Sequence, residues 1–111
     1  MCYRRGMNEN YPLLGHQFYC TVAGMHLSTL AEMQIISQYA PDAWRAAHAG
    51  HAYWIDSGPD YVTAVGVHTW VWELSSSRPS DQLLRVNSSN DGKYPYPDNT
   101  ATHRGICVAY L

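Results

Sequence analysis

The 111 residues of this chain are the length of a single domain. A hydrophobic fraction of 46% against 14% charged residues excludes an intrinsically disordered chain, because disorder requires high charge and few apolar side chains. The net charge of -2 argues against a nucleic-acid-binding protein, which carries a basic surplus.

No apolar run approaches the roughly 20 residues that a membrane-spanning helix needs. The first ten residues include Arg4 and Arg5 and lack the apolar core of a signal peptide. The chain is therefore expected to be either cytosolic or a piece of a larger exported protein. Residues 1–10 are interpreted as a leading segment or linker, and residues 11–111 as the folded domain.

The aromatic residues and the cysteines are the unusual features of the composition. Nine Tyr and four Trp stand against one Phe. Tyr and Trp serve either as core residues of a β-rich domain or as binding residues on a half-wet surface. The three cysteines, Cys2, Cys20 and Cys107, contain no CxxC pair and so exclude a zinc ribbon. Either Cys20 and Cys107 form a long-range disulfide, which would imply an oxidising compartment, or all three cysteines are free thiols.

The first half of the chain is predicted to be helical. In residues 11–23, Leu14, Phe18 and Val22 recur at i,i+4 spacing, which predicts a short helix with these residues on its apolar face and Gly24 at its end. A second helix is predicted to begin at Thr29, because Thr29 and Glu32 have the spacing of a capping box.

The second helix has a clear apolar face and a clear stop. Pro41 marks its end, and residues 42–48 are predicted to add one further turn with Asp42 as N-cap and Gly50 as stop. The residues of its apolar face are Leu30, Met33, Ile36 and Ala40.

The second half of the chain has the composition of strands. Residues 52–55, 61–74, 83–86 and 105–111 are predicted strands, the second interrupted at Gly66. The stretches between them are polar loops, and Pro95 and Pro97 forbid a central strand in the longest. Helices followed by strands are typical of the α+β class.

The order of these motifs resembles the C-type lectin-like domain. The family's first cysteine has its counterpart in Cys20. Its glycine and leucine have counterparts in residues 24–27, and its acidic helix start in residues 29–33. Residues 52–56 and 69–73 resemble the family's two Trp-containing strands, although Asp56 stands where the family has Gly. Residues 105–108 resemble its closing strand, which carries the partner cysteine. The resemblance implies two short helices packed on mainly antiparallel sheets, with long surface loops.

Within that family the chain is similar to the C-terminal tip domain of bacterial intimin- and invasin-type adhesins. Residues 27–33 resemble a Leu-Pro-Thr-x-x-Glu-Leu run that is common there. The resemblance implies a Cys20–Cys107 disulfide, and a chain that ends at Leu111, shortly after Cys107, is expected of a domain that ends its parent protein. Cys2 has no counterpart in the family and is expected as a free thiol or an intermolecular bridge.

The sequence gives little support to a metal, a cofactor or an active site. Calcium-dependent relatives use a Glu-Pro-Asn or Gln-Pro-Asp loop, but Arg78 here replaces an oxygen ligand and no Trp-Asn-Asp precedes Cys107. His48 and His51 are three positions apart, but Gly50 lies between them and zinc would need a further ligand. No hydrolase, phosphate-binding or metalloprotease motif is present, so we expect no catalysis.

The loops at residues 75–102 are the predicted binding surface, since long ordered loops on a rigid scaffold carry binding residues. Tyr94 and Tyr96 alternate with prolines, so these rings either lose little entropy on binding or pack back to fix the loop. The candidate binding residues are Arg78, Arg85, Lys93, Tyr94, Tyr96 and Asn99.

The expected function is recognition of a host cell-surface or secreted protein, glycosylated or not, by a monomeric tip domain on the bacterial surface. No metal or other cofactor is expected, and membrane attachment is expected only through the rest of the parent protein. The alternatives are a carbohydrate-binding lectin domain and a structural cap of an adhesin rod.

Overall fold

The computed structural model describes residues 1–6, 10–11, 13–56, 62–63, 66–67, 69–86 and 102–110. Within these residues the chain forms three α-helices, eight strands and one short 3-10 turn, so the predicted α+β class is confirmed. There are three helices where the resemblance implied two, because residues 42–48 form a helix of their own. No helix among the described residues is long and apolar enough to cross a membrane.

The helices are α1 (Leu13–Val22), α2 (Leu30–Tyr39) and α3 (Asp42–His48). The strands are β1 (Cys2–Arg5), β2 (His26–Leu27), β3 (His51–Trp54), β4 (Val62–Thr63), β5 (Gly66–Val67), β6 (Thr69–Leu74), β7 (Gln82–Val86) and β8 (Ile106–Ala109).

One three-stranded antiparallel sheet joins the two ends of the described chain, and we call it the terminal sheet. Its strand order is β1-β8-β2, with Tyr3 opposite Val108 and Leu27 opposite Cys107. Residues 2–5 therefore belong to the sheet as an edge strand, although residues 1–10 were interpreted as a leading segment or linker. The buried strand β8 lies between its two neighbours at the centre of this sheet.

The second three-stranded antiparallel sheet, the central sheet, has the order β3-β6-β7. His51 pairs with Leu74 at one end, which we call the His51 end, and Thr69 pairs with Val86 at the other, the Val86 end. The short strands β4 and β5 pair with each other. The predicted interruption near Gly66 is thus present, since Gly66 belongs to β5 and not to β6.

Helix α2 follows its sequence pattern closely. The Thr29 hydroxyl accepts from the Glu32 amide at 3.2 Å and the Glu32 carboxylate accepts from the Thr29 amide at 2.9 Å, so the capping box is confirmed. Met33, Ile36 and Ala40 on its predicted apolar face are buried, and Leu30 packs partly buried against them.

Helix α3 begins one residue earlier than the predicted N-cap implied. Pro41 is the N-cap and Asp42 is the first helical residue, so the assignment of Asp42 as N-cap was wrong. Pro41 provides no side-chain cap hydrogen bond. Asp42 instead places its carboxylate in the first turn, where negative charge interacts favourably with the helix dipole.

The predicted orientation of α1 was also wrong, although the helix itself is present. Its buried residues are Leu13, His16 and Cys20, whereas Phe18 and Val22 are 71% and 70% exposed. Positions two apart on an α-helix differ by about 200° in direction, so a helix that turns Cys20 inward turns Phe18 outward. Because Cys20 is bonded to Cys107 in the interior, the apolar spacing does not choose the buried face.

The Cys20–Cys107 disulfide links α1 to the middle of β8, and both cysteines are fully buried. The neighbouring Gly105 lets His16 approach the start of β8, since a Cβ atom at Gly105 would lie 2.7 Å from His16 Nδ1. The pairing that the resemblance implied is therefore present, and it joins the first helix to the last strand. Cys2 is a free and exposed cysteine.

Two aromatic residues of β3 belong to the core. Trp54 and Tyr53 are fully buried, and each has a backbone carbonyl as acceptor: Tyr11 at 2.7 Å from the indole nitrogen and His48 at 2.6 Å from the phenol oxygen. Burial raises the pKa of Tyr53 to about 12, despite the nearby positive charge of Arg104. The composition left two roles open for the aromatic residues, packing in the core or binding at the surface. These two rings pack in the core.

Replacing Cys20 and Cys107 together with serine is expected to lower the free energy of unfolding by about 3–5 kcal/mol, because the bond closes a long loop in the unfolded chain. Urea unfolding followed by circular dichroism measures the change. Cys2→Ser removes an exposed thiol and should leave the unfolding midpoint unchanged. A double-serine protein as stable as the parent would contradict the structural role of the bond.

Candidate functional site

The segment that precedes β7 is attached to the helices by one buried carboxylate. The Asp81 side chain, 2% exposed, accepts hydrogen bonds from the Arg45 guanidinium and the Ser37 hydroxyl, and from the Ser75 amide at 2.8 Å. Arg45 also donates to the Ser37 carbonyl at 3.0 Å. This network ties α2, α3 and the segment before β7 together at the His51 end of the central sheet.

The electrostatic state of Asp81 follows from these contacts. Burial by itself raises the pKa of its carboxyl group, but the hydrogen bonds from Arg45, Ser37 and the Ser75 amide outweigh burial and lower the pKa below the ordinary value. Asp81 is therefore ionised at neutral pH and neutralises the buried Arg45. Removing one partner of such a pair leaves an uncompensated charge inside the protein, which typically costs about 3–5 kcal/mol.

Arg78 is the one predicted binding residue whose side chain the structure describes. It is 40% exposed, donates to the Asp42 carboxylate at 3.1 Å and to the Ala40 carbonyl at 2.7 Å, and so fixes the 3-10 turn Arg78–Ser80 against the start of α3. The Asp42 side chain is 91% exposed, and an ion pair of this kind contributes about 0–1 kcal/mol. Arg78 stays a predicted binding residue, with an added role in holding this turn.

A shallow groove, which we call the α3 groove, runs beside Arg78. It consists of two adjoining depressions of about 470 Å³ and 460 Å³ that share Ala49 and Ser76. Both volumes lie in the range of ligand sites, but such sites are lined mainly by hydrophobic and aromatic side chains. Half of the residues that line the α3 groove are Ala, Gly or Ser, and its charged or titratable side chains are Asp42, Arg45, Arg78, His51 and Glu73.

The charges around the α3 groove nearly cancel. Arg78 and Arg45 are paired with Asp42 and Asp81, and Glu73 accepts from Gln82 at 2.9 Å. These contacts hold the charged side chains of the α3 groove in place. It lacks an apolar anchor that would fix a small ligand.

The structure separates Arg78 from Arg85, the one other predicted binding residue of which any part is described. Arg85 is the last but one residue of β7, opposite Trp70, and only its backbone is described. Arg78 precedes the start of β7, and the strand's five residues place its two ends roughly 14 Å apart. The other four predicted residues lie outside the described residues: Lys93, Tyr94, Tyr96 and Asn99.

A second buried carboxylate, Glu32, gathers groups that the sequence analysis did not connect. Besides its capping contact with Thr29, it accepts from the Tyr110 hydroxyl at 2.6 Å, and its two oxygens lie 2.9 Å and 2.8 Å from His26 Nε2. The rings of His26 and Tyr110 are stacked with centroids 6.0 Å apart. The capping spacing signalled Glu32, but no local pattern links it to a tyrosine 78 positions away.

The Glu32 carboxylate is held ionised by its donors. Burial raises its pKa, but the Thr29 amide, Tyr110 and His26 together lower the pKa below the ordinary value. The hydrogen bond to Glu32 in turn raises the pKa of Tyr110. Through these three donors the Glu32 carboxylate connects α2, β2 and the residue that follows β8. Because its oxygens already accept these hydrogen bonds, it is not placed as a free general base.

Two further histidines, His48 and His16, are engaged in structural contacts. His48 stacks on Trp44 with ring centroids 3.9 Å apart, and its Nδ1 lies 2.7 Å from the Trp44 carbonyl. The ring of His16 is buried with Nε2 at 2.8 Å from the His103 carbonyl. Within the described part of the chain, no three His, Cys, Asp or Glu side chains are grouped so that they could hold a metal ion.

No family model, no curated protein and no solved structure matches this chain. The geometry of the described residues and the motifs in the sequence therefore carry the functional argument.

Asp81→Asn is expected to lower the free energy of unfolding at pH 7 by about 3 kcal/mol, because Arg45 loses its buried counter-charge. The lowered pKa of Asp81 contributes stability that is complete above its ordinary value of 3.8 and is lost as the pH falls towards the folded value. The difference in the free energy of unfolding between parent and variant should therefore shrink as the pH falls from about 5 to about 2. Denaturant unfolding at each pH measures it.

Asp42→Asn is the matched control for this experiment. It removes the same charge from a carboxylate whose side chain is 91% exposed, so its effect should stay below about 1 kcal/mol. If Asp42→Asn and Asp81→Asn destabilise the protein equally, the Asp81 network does not have the structural role described above.

Proposed function

We propose that this chain is a C-type lectin-like domain of a bacterial surface adhesin, which binds a host protein at the tip of its parent. It acts by recognition alone, with no catalysis and no bound calcium. The proposed binding residues are Arg85, in β7, and Lys93, Tyr94, Tyr96 and Asn99 in the segment that follows Val86 in the sequence.

The Cys20–Cys107 disulfide is the observation that carries this proposal. Stable disulfides persist in oxidising compartments such as the cell surface and are rare in the cytosol. The bond therefore supports an exported parent over a cytosolic protein, the two locations that the composition left open. It also has the connectivity that the resemblance to C-type lectin-like domains implies, between the first helix and the closing strand.

The layout of the central sheet supports the position of the binding surface. Trp54 ends β3, Thr69 begins β6 and Val86 ends β7, all at the Val86 end. Tyr53 and Val71, near the middle of β3 and β6, are buried and hold the sheet against the core. Segments that leave a rigid scaffold carry binding residues more often than the scaffold itself does, and residues 87–101 follow Val86 directly.

The chemistry of residues 93–99 fits protein recognition. Tyr side chains provide large contact areas at a low entropic cost, and the prolines next to Tyr94 and Tyr96 restrict the backbone further. Lys93 and Asn99 add one positive charge and one amide. Arg78 precedes β7 and Arg85 lies near its end, so these two residues are separated along the strand.

Replacing Tyr94 and Tyr96 together with alanine is expected to weaken binding to host cells at least about tenfold, since buried tyrosines are frequent hot spots of protein interfaces. The thermal unfolding midpoint should not change. Tyr39→Ala is the matched control, because Tyr39 is 76% exposed on α2. Unchanged affinity of the double variant would show that these tyrosines are not the binding residues.

Protease treatment of the host cells decides between a protein ligand and a glycan. The oxidised domain should bind untreated cells and lose binding after surface proteins are digested. Binding that survives digestion would favour a glycolipid, and binding that EDTA abolishes would favour a calcium-dependent lectin; either result contradicts the proposal. Full adhesion by a parent that lacks the domain would favour a structural cap.

A further inference from the structure

Basic residues from separate parts of the chain lie beside the buried ring of Tyr53. Arg104 pairs with Tyr53 in a parallel backbone bridge, and Arg5 ends β1, the strand that pairs with the residues following Arg104. His51 lies two positions before Tyr53 and therefore on the same face of β3. The carbonyl of His48 accepts from the Tyr53 hydroxyl. We call these four residues the basic patch: Arg5, His48, His51 and Arg104.

The members of the basic patch are close enough to affect one another's ionisation. Partial burial lowers the pKa of His51, and the positive charges of Arg104, Arg5 and protonated His48 lower that pKa further. Burial raises the pKa of Tyr53, whereas Arg104 and Arg5 lower it. The neighbouring charges that act on His51 are thus all basic, and they create a positive potential at this surface.

No carboxylate of the described residues neutralises the basic patch. Five side-chain carboxylates belong to the described part of the chain, and each accepts a hydrogen bond from a side chain outside the patch. These pairs are Glu32 with His26, Asp42 with Arg78, Asp56 with Gln17, Glu73 with Gln82, and Asp81 with Arg45. Arg5 and Arg104 are therefore left without a counter-charge, in contrast to Arg45 and Arg78.

The guanidinium group of Arg104 is also left without a protein acceptor. Its Nε atom is buried and makes no hydrogen bond, and the rest of the side chain is partly exposed. An arginine keeps its proton at physiological pH, so the repulsion between Arg104 and Arg5 is not relieved by deprotonation. A bound anion would relieve that repulsion and accept from the accessible guanidinium nitrogens.

The two charged side chains next to the basic patch in the strands belong to other faces. Arg4 precedes Arg5 in β1, where exposed and half-buried residues alternate, so Arg4 points away from Arg5. Glu73 lines the α3 groove together with His51, but it pairs with Ala52 and so lies on the opposite face of the central sheet from Tyr53. Glu73 therefore does not take the place of an anion between the two arginines.

We propose that the basic patch is a binding site for a phosphate group, either as the free ion or as a monoester. A phosphate group carries about two negative charges near neutral pH and so balances Arg5 and Arg104, whereas a carboxylate balances only one of them. Guanidinium groups suit this ligand, because their forked N–H donors match the oxygens of a phosphate. The proposal involves none of the proposed receptor-binding residues and does not depend on them.

A titration of the oxidised full-length chain, followed by NMR of the arginine Nε–H and histidine ring signals, tests this site. At about pH 7 and constant ionic strength, inorganic phosphate should shift the signals of Arg5, Arg104 and His51 with half-saturation near about 1 mM. Sodium chloride should produce no saturable shift. Glycerol phosphate distinguishes the two sources, since tighter binding than inorganic phosphate indicates a monoester and weaker binding indicates the free ion.

Arg5→Gln is expected to weaken phosphate binding at least about tenfold, because one charge-assisted hydrogen bond is lost. Arg4→Gln is the matched control: it removes the same charge from the adjacent position of β1, on the other face of the strand. This control should change the affinity less than about twofold. Urea unfolding of both variants should give the midpoint of the parent, which separates a loss of binding from a loss of folding.

The pKa of His51 provides a test without any substitution. A bound dianion opposes the arginine charges that lower this pKa, so the pKa should be higher in sodium sulfate than in sodium chloride of equal ionic strength. Sulfate is the probe here because it keeps its double charge as the pH changes. Equal shifts in chloride and phosphate, equal weakening by Arg4→Gln and Arg5→Gln, or an unchanged pKa of His51 in sulfate would overturn the proposal.

Discussion

The Cys20–Cys107 disulfide sets the rotation of α1 on the terminal sheet, and much of the structure depends on that setting. A covalent bond to the centre of β8 leaves the helix no freedom to turn its more apolar side inward. His16, a polar residue, is buried at the start of β8 as a consequence, and Phe18 faces outward. The bond also keeps the last strand between β1 and β2, so the two ends of the described chain stay adjacent.

Two buried carboxylates complement the disulfide at other points of the fold. Asp81 joins α2, α3 and the segment before β7, and Glu32 joins α2 to β2 and to the residue after β8. Each accepts hydrogen bonds from neighbouring residues and from at least one distant part of the chain, and these donors lower its pKa. Charged residues are few in this protein, and these two are used inside it as connections between elements.

The surfaces that result have different chemistry. The charged side chains that line the α3 groove are hydrogen-bonded to neighbouring groups, whereas the outward face of α1 exposes Phe18 and Val22 and has no charged residue of that helix. Residues 87–101, which include four of the proposed receptor contacts, follow Val86 in the sequence.

The sequence by itself determined the local elements. The Thr29 and Glu32 capping box fixed the start of α2, Pro41 its end, and the β-branched and aromatic runs the positions of β3 and β6, because these signals act between residues close in the chain. Which side of α1 is buried, which groups surround Asp81 and where Arg78 lies relative to Val86 were decided only by the tertiary structure. The buried face of α1 depends on a bond across 87 positions, the groups around Asp81 include residues 36 and 44 positions away, and Arg78 is held by residues 36 and 38 positions away, none of which a local spacing encodes.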